Sequence, residues 1–179
     1  MAKRKITMPE YIPVTKSLMT SAIKIYSTWK KLDGQIDAIS TRGINFPGEL
    51  SELFACYALQ LMWKKGGQGD AYDPKKERNI EVKGSASYKD DLSSFSPSET
   101  FAELIFVKVD KDNDKAYIYE TGVDSTELKK IYVNASETVG DHQAAGKRPR
   151  FSVERKIIRA NGLKPTYELD IIAKAVTKL

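Results

Sequence analysis

The sequence predicts an α/β domain in which helices come first, a mixed β-sheet is built after them, and a final helix closes the chain. Three observations carry that prediction. Apolar residues at Leu18, Ala22, Ile25, Trp29, Leu32, Ile36 and Ile39 are spaced 4-3-4-3-4-3, the period of one helix face. The runs LIFVKVD (104–110) and KAYIYET (115–121) flank a short polar turn, as two strands would. A chain of 179 residues, 41% hydrophobic and 30% charged, has the size and balance of one soluble domain with a core of its own.

Taken in order, residues 1–10 carry Lys3, Arg4 and Lys5 and form a loose basic arm. A long amphipathic helix is predicted from Val14 to Ile39, with Gly34 a weak point near its end. Its apolar face covers the core or forms a seam against a partner subunit. A second helix is predicted from Pro47 to Lys65. Leu50, Leu53, Phe54, Tyr57 and Leu61 make one stripe, and Leu59 with Trp63 lie on the other side, so most of its faces are buried. Glu49 and Glu52 fall in its first turn, where the helix dipole favours acids. Gly66-Gly67-Gln68-Gly69 ends it in a turn. A β-hairpin follows: a strand at Asp70–Tyr72, a turn at Asp73-Pro74-Lys75-Lys76 and a strand at Arg78–Ser85. Residues 86–98 are serine-rich and form a loop, and a short helical piece spans Glu99–Glu103. After the two strands already named, Asp124 with Glu127 fits a capping box for a short helix through Lys130. YVN (132–134) reads as a strand, the stretch through GDHQAAGKRPR as a long loop, and RFSVERKII (150–158) as a strand. The final helix is predicted from Tyr167 to Lys178, with Leu169, Ile172, Ala173 and Val176 on one face. No repeat and no linker divides the chain, so residues 1–179 read as one domain.

Composition removes several chemistries. A single cysteine, Cys56, excludes an intramolecular disulfide and a multi-cysteine zinc site. Its place among apolar helix residues makes it a small core hydrophobe. A single histidine, His142, leaves no set of imidazoles for a zinc hydrolase, so carboxylates and lysines are the expected working groups of any enzyme here. No apolar run reaches the ~18 residues of a membrane span, and the basic start lacks a signal-peptide core. A cytoplasmic location is expected. The net charge of +5 permits a nucleic-acid partner without requiring one. Asp110, Asp112 and Asp114 resemble the opening of a calcium loop, but Lys115 and Thr121 stand where its glycine and glutamate belong, so an acidic hairpin turn is the better reading. The stretch from Gly140 to Lys147 misses the spacing of a nucleotide-phosphate loop, and Arg148 follows where Ser or Thr is needed.

One constellation remains. On a strand, Glu81 and Lys83 project together while Val82 faces the opposite layer. The hairpin turn brings Asp70 opposite Glu81. Two carboxylates then converge within reach of one cation, with an ammonium beside them. Hard oxygen donors of this kind suit Mg²⁺, which keeps several waters. Acidification of a bound water supplies a nucleophile without histidine, and the lysine orients that water or offsets charge on a phosphate.

The order helix-Glu, then Asp, then Glu-x-Lys on a strand resembles the PD-(D/E)XK nuclease signature. The wider text, RGINFPGELSELFACY, GGQGDAYDP, IEVKGSASY, LIFVKVD and GKRPRFS, is similar to small type II restriction endonucleases across about residues 42–152. Within them it is most similar to the subgroup that cuts the interrupted palindrome GCNGC. Gly69 stands where the signature has its proline, and Asp73, beside Pro74, is the other candidate acid. The resemblance implies a restriction-endonuclease-like fold, a central mixed sheet flanked by helices. It implies that Asp70 and Glu81 hold Mg²⁺ (or Mn²⁺ in its place) with the Val82 carbonyl, that Lys83 positions the attacking water, and that Glu52 or Glu49 stands near the metal or holds a water beside it. It also implies a homodimer on palindromic duplex DNA, with the 14–39 helix a candidate seam.

Between residues 146 and 159 lie Lys147, Arg148, Arg150, Arg155, Lys156 and Arg159, opposed in that stretch only by Glu154. Such residues anchor phosphates. Arg148 and Arg150 flank Pro149 and suit guanine, and Gln143 or Asn134 suits adenine. The loop after the active strand offers Ser85, Ser87, Tyr88 and Lys89 to the DNA. The expected activity is therefore Mg²⁺-dependent, sequence-specific double-strand cleavage at a short GC-rich palindrome. A structure-specific nuclease such as a Holliday junction resolvase and a non-catalytic DNA-binding module are the alternatives. A DNA methyltransferase is expected as a genomic neighbour, because an unprotected host would be cut.

Overall fold

The computed structural model describes residues 11–40, 43–65, 69–98 and 100–179. The basic arm 1–10 and most of the glycine turn, residues 66–68, lie outside them. In chain order the elements are β1 (Tyr11–Pro13), α1 (Lys16–Asp37), α2 (Gly48–Leu59), β2 (Met62–Lys64), β3 (Ala71–Asp73), β4 (Arg78–Ser85), β5 (Ser93–Ser94), β6 (Glu103–Asp110), β7 (Lys115–Glu120), α3 (Ser125–Lys129), α4 (Val139–Ala144), β8 (Arg150–Phe151), a helical segment α5 with wide π-type turns (Glu154–Arg159), β9 (Tyr167–Asp170) and β10 (Ala175–Lys178).

A mixed sheet runs in the order β1-β2-β3-β4-β6-β7-β9-β10. Only β4 and β6 pair in parallel; the other neighbours are antiparallel. Strand alternation divides the core between its two faces. Ile80, Val82, Ile105 and Val107 face α1 and α2, where Tyr26, Phe54 and Leu50 fill the layer. Leu104 and Phe106 face the other way, toward Phe95, Leu128, Val139, Phe151 and Ile157. In the parallel ladder Glu81 is level with Leu104 and Lys83 with Phe106. Glu81 and Lys83 therefore leave the sheet on the second face, as the alternation predicts.

The β3–β4, β6–β7 and β9–β10 hairpins share one turn design. Each opens on an aspartate whose Oδ1 accepts backbone N–H groups: Asp73 from Lys75 (3.0 Å) and Lys76 (3.3 Å), Asp110 from Asp112 and Asn113 (3.1 Å each), Asp170 from Ala173 (2.7 Å). Each closes on a left-handed residue directly before the return strand, Glu77 (φ 50°), Asp114 (φ 54°) and Lys174 (φ 56°). The aspartate supplies the side-chain acceptor that makes such turns. The Asp110–Asp114 run is thus the acidic hairpin turn expected of it.

Several expectations are corrected. The second helix stops at Leu59, because Gln60 turns left-handed (φ 58°, ψ 39°), and Met62–Lys64 pair as a strand. The hairpin's first strand is Ala71–Asp73, one residue later than read. Glu103 starts β6, and no helix forms among the described residues of 99–103. Residues 132–134 contribute only the isolated bridge Tyr132–Thr138. The long loop contains α4, closed by a Thr138/Asp141 capping box. Arg150–Phe151 is the only strand within 150–158, and helical turns follow. The C-terminal helix is a hairpin instead: Tyr167–Asp170 pairs with Ala175–Lys178, and β9 completes the sheet against β7. The loop 86–98 contains β5, which pairs with β8. The first helix forms as read, and α1 runs through Gly34. The short helix after Asp124 also forms, capped by the Asp124 side chain alone, while Glu127 pairs with Lys130. Met19, Ala22, Tyr26, Trp29 and Asp33 are its buried side. Ile25, Leu32 and Ile39, also in the apolar series, are 54%, 47% and 83% exposed.

Candidate active site

The β3–β4 ladder builds the site by ending early. Tyr72 pairs with Asn79 and Ala71 with Ile80, and there β3 stops. β4 runs on to Ser85, so past Ile80 its edge on that side lacks a strand partner for Val82. Asp70 fills the gap: its backbone N–H reaches the Ile80 carbonyl (3.4 Å) and its Oδ2 accepts from Val82 N (2.7 Å). A residue's N–H and C=O leave a strand on the same edge, so the Val82 carbonyl points toward the edge that Asp70 occupies. Asp73, the other candidate, is committed to its turn and to Arg78 (3.7 Å).

Glu81 follows Asp70 in register and is 1% exposed. A carboxylate so deep in a sheet is costly unless paired. Its Oε1 contacts Lys83 Nζ, two residues along the same face. The ammonium in turn lies 5.3 Å from the centre of the Phe95 ring. An aromatic face favours a cation there and holds the lysine over the polar pair. The expected Asp70, Glu81, Lys83 set is thus brought together at one end of one ladder.

From the opposite face α2 delivers Glu52 to this end. Trp63 Nε1 on β2 donates to Glu52 Oε2 (2.7 Å). Burial and the nearby charge of Asp70 push the Glu52 carboxyl up to about 7, against the Trp63 bond, which favours the ionised form. A carboxyl raised by a neighbouring carboxylate marks an excess of negative charge. Glu49 is exposed in the first turn of α2 and reaches the cluster only as a weaker charge on Glu52. Cys56, one turn further, is buried, and burial pushes its thiol up, as befits a core residue.

Small residues after the lysine do admit a close approach, but the neighbour is this chain's own helix. A β-carbon on Gly84 would lie 2.6 Å from Ser51 Cβ and 3.1 Å from the Val107 carbonyl. Only glycine lets α2 pack this near β4, which is how Glu52 comes within range of Asp70.

Among the described residues no three His, Cys, Asp or Glu side chains form a ready cage for a metal. Two carboxylates, a carbonyl edge and a charge excess suit Mg²⁺, which retains water, better than a metal needing four protein ligands.

The residues expected to meet DNA divide. Ser87, Tyr88, Lys89, Lys147, Arg148 and Arg150 are exposed. Tyr88 hydroxyl bonds Asp112 (2.8 Å to each oxygen), and Lys111 Nζ lies 5.1 Å from its ring centre. Ser85 is buried, and its Oγ accepts from Ser87 N (3.1 Å), so it shapes the loop rather than facing outward. Asn134 closes a turn, accepting from Ser136 N (2.9 Å) and Glu137 N (2.8 Å). Gln143 donates to the Ser96 carbonyl (3.0 Å). The basic tract has a second counter-charge besides Glu154: Asp90 pairs with Arg155 (3.7 Å) and with Arg159. Glu154 itself takes Lys108 (2.5 Å). Trp63, Phe95 and Asp90 were not legible as site residues, because their partners lie on other elements. An aromatic inside the serine-rich run 93–96 was the one local signal for Phe95.

A family model described as Bsp6I restriction endonuclease matches residues 14–160. The type II restriction enzyme Bsp6I of Bacillus sp. (strain RFL6) is 40% identical over 174 residues, which cover 97% of this chain and 100% of that protein. No solved structure matches.

Proposed function

The chain belongs to the Bsp6I restriction endonuclease family, and from that premise we propose that it makes Mg²⁺-dependent double-strand cuts in DNA at a short GC-rich palindrome, GCNGC being the leading candidate. The observation that carries the reading is the register of Asp70 on Val82 N, which sets one carboxylate beside another, Glu81, with Lys83 against it. The arrangement supports a PD-(D/E)XK centre.

In this reading Asp70, Glu81 and the Val82 carbonyl would hold the ion. When bound, Mg²⁺ supplies Lewis acidity to the scissile phosphate and an acidified water. The rest is the chain's own work. Lys83 releases part of its hold on Glu81 and turns its N–H donors to the water and the phosphate oxygens. Phe95 limits where that ammonium can go. Glu52, fixed by Trp63, would stand beside the ion and offer its carboxylate to a water there. Lys89, Lys147, Arg148 and Arg150 grip phosphates or read guanine.

One candidate centre per chain cuts one strand, so a palindromic double-strand cut calls for two chains related by a two-fold axis. The outward side chains of Ile25 and Leu32 on α1, continued by Ile39 just past its end, form the proposed seam. A DNA methyltransferase encoded nearby protects the host. No helix among the described residues is long and apolar enough to cross a membrane.

The test is digestion of supercoiled plasmid with purified protein and Mg²⁺, followed by sequencing of the ends. Discrete fragments with one shared terminal sequence are expected, and EDTA abolishes them. Cutting only at four-way junctions, or binding without cleavage, would replace this reading with one of the two alternatives.

A further inference from the structure

The loop that leaves the C-terminal end of β4 and the basic tract around β8 are joined by one buried carboxylate. Asp91 is 7% exposed. Its Oδ1 accepts from Ser152 Oγ (2.9 Å) and Glu154 N (2.9 Å), and its Oδ2 from Ser93 Oγ (2.6 Å) and Val153 N (3.1 Å). All four donors are neutral, and three of them lie some 61 to 63 residues away in sequence. Burying a carboxylate is costly unless its lone pairs are met, so these bonds commit the two segments to a single relative placement.

What is placed matters for DNA. Beyond Asp91, β5 pairs with β8, setting Ser94 opposite Arg150. Phe95 N donates to the Pro149 carbonyl (3.1 Å). The Phe95 ring stacks on Phe151, with centroids 5.2 Å apart and planes 15° apart. The Phe95 ring also lies against the Lys83 ammonium. An unbroken series of contacts thus runs from Lys83 through Phe95 and Phe151 to Arg150, with Arg148 and Lys147 just ahead, and Asp91 fastens it from below. Pro149 is buried while the three basic residues around it are exposed.

We propose that Asp91 is a positioning residue that holds the basic tract Lys147–Arg150 in register with Lys83, so that the groups gripping the DNA present one phosphate to the lysine. This inference rests on the nuclease reading above. The four bonds hold the segment but touch no DNA themselves. Without them the tract is still tied by the β5–β8 pairing and the Phe95–Phe151 stack, but less firmly, and its cations meet the duplex together less often.

The test compares wild type with Asp91→Asn, Ser152→Ala and Lys83→Ala. A linear duplex containing the mapped cut site is the binding probe, without divalent metal, across a salt series; plasmid cleavage in Mg²⁺ gives KM and kcat. The slope of log affinity against log salt counts phosphates neutralised. Asp91→Asn should shallow that slope by about two and raise KM about tenfold, with a smaller change in kcat. Ser152→Ala, which keeps the carboxylate and removes both the bond to Asp91 and the one Ser152 Oγ accepts from Arg155 N, should move slope and KM the same way by a few-fold, and it decides the matter if Asp91→Asn does not fold. Lys83→Ala should keep the slope and lose cleavage. Folded variants at Asp91 or Ser152 with wild-type slope and KM would overturn the inference. Failure of the wild type itself to cut would overturn the nuclease reading instead.

Discussion

Gly84 offers a quantitative test of how the helix and the active strand are set against each other. Alanine there would place its β-carbon 2.6 Å from Ser51 Cβ and 3.1 Å from the Val107 carbonyl, with Ser51 Oγ closer still. Both partners are anchored, one by a helix and one by the neighbouring strand, so the backbone must yield. Overpacking of this kind costs about 1–3 kcal/mol, and the upper half of that range applies because no flexible side chain can move aside. Loss of glycine's freedom in the unfolded chain returns roughly 0.4–1 kcal/mol. The net expectation is a loss of about 2 kcal/mol, or roughly 4–8 °C in Tm for a chain of this length. Displacing α2 also draws Glu52 from Asp70, so cleavage per folded molecule should fall at least about tenfold. Ser51→Gly removes the side chain in the way. The double variant should therefore recover more than about 1 kcal/mol relative to the sum of the two single losses. Denaturation of the four proteins, with cleavage rates beside it, measures this directly. Additive losses, or a Gly84→Ala protein as stable and active as wild type, would refute the close packing of α2 on β4.

Three further outcomes follow from the geometry. Glu52 binds its proton more tightly in the folded protein, at about 7, than at its ordinary value of 4.5, so the native state holds the extra proton and stability falls as pH rises through that window. At about 1.4 kcal/mol per unit, reduced for partial exposure, the metal-free protein should lose about 2 kcal/mol between those limits from this group. Glu52→Gln should flatten that slope in urea melts at pH 5 and pH 8, and an unchanged slope would contradict the assignment. Leu32→Glu with Ile25→Glu should convert a dimer to a monomer in sedimentation and slow double-strand cutting far more than nicking; a variant that still sediments as a dimer would remove α1 from the seam. Arg148→Ala should reduce the salt slope of duplex binding by about one, and if it relaxes preference at a single base as well, it reads guanine.

The part of the site that lies within one hairpin was legible from local spacing, Glu52 came only through the resemblance, and the contacts of Trp63 and Phe95 were not legible. Asp73-Pro74 marks a turn, and Glu81-Val82-Lys83 alternates across a strand, so local chemistry alone brings Asp70 level with Glu81. The C-terminal hairpin shows the opposite case. Leu169, Ile172, Ala173 and Val176 satisfy a helical period, yet Asp170 opens the same aspartate turn as Asp73 and Asp110, and that repeated signal was the better guide. Short apolar runs fit both periods, and pairing with β7 decides between them. The stretch Arg150–Ile158 reads as one strand, with Val153, Ile157 and Ile158 as its β-branched residues. The part after Phe151 is helical because Asp91, far away in sequence, accepts from Val153 N and Glu154 N at its start. Trp63 looked like one more helix residue until Gln60 ended α2, and only the folded sheet brings it to Glu52.

The proposed cleavage centre depends on where a divalent ion settles. Crystals of the protein soaked in Mn²⁺ should give an anomalous peak bounded by the Asp70 and Glu81 carboxylates and the Val82 carbonyl, and Asp70→Asn should abolish it together with cleavage. A peak in the Asp110–Asp114 turn instead, or an Asp70→Asn protein that still cuts at the wild-type rate, would contradict the proposed centre.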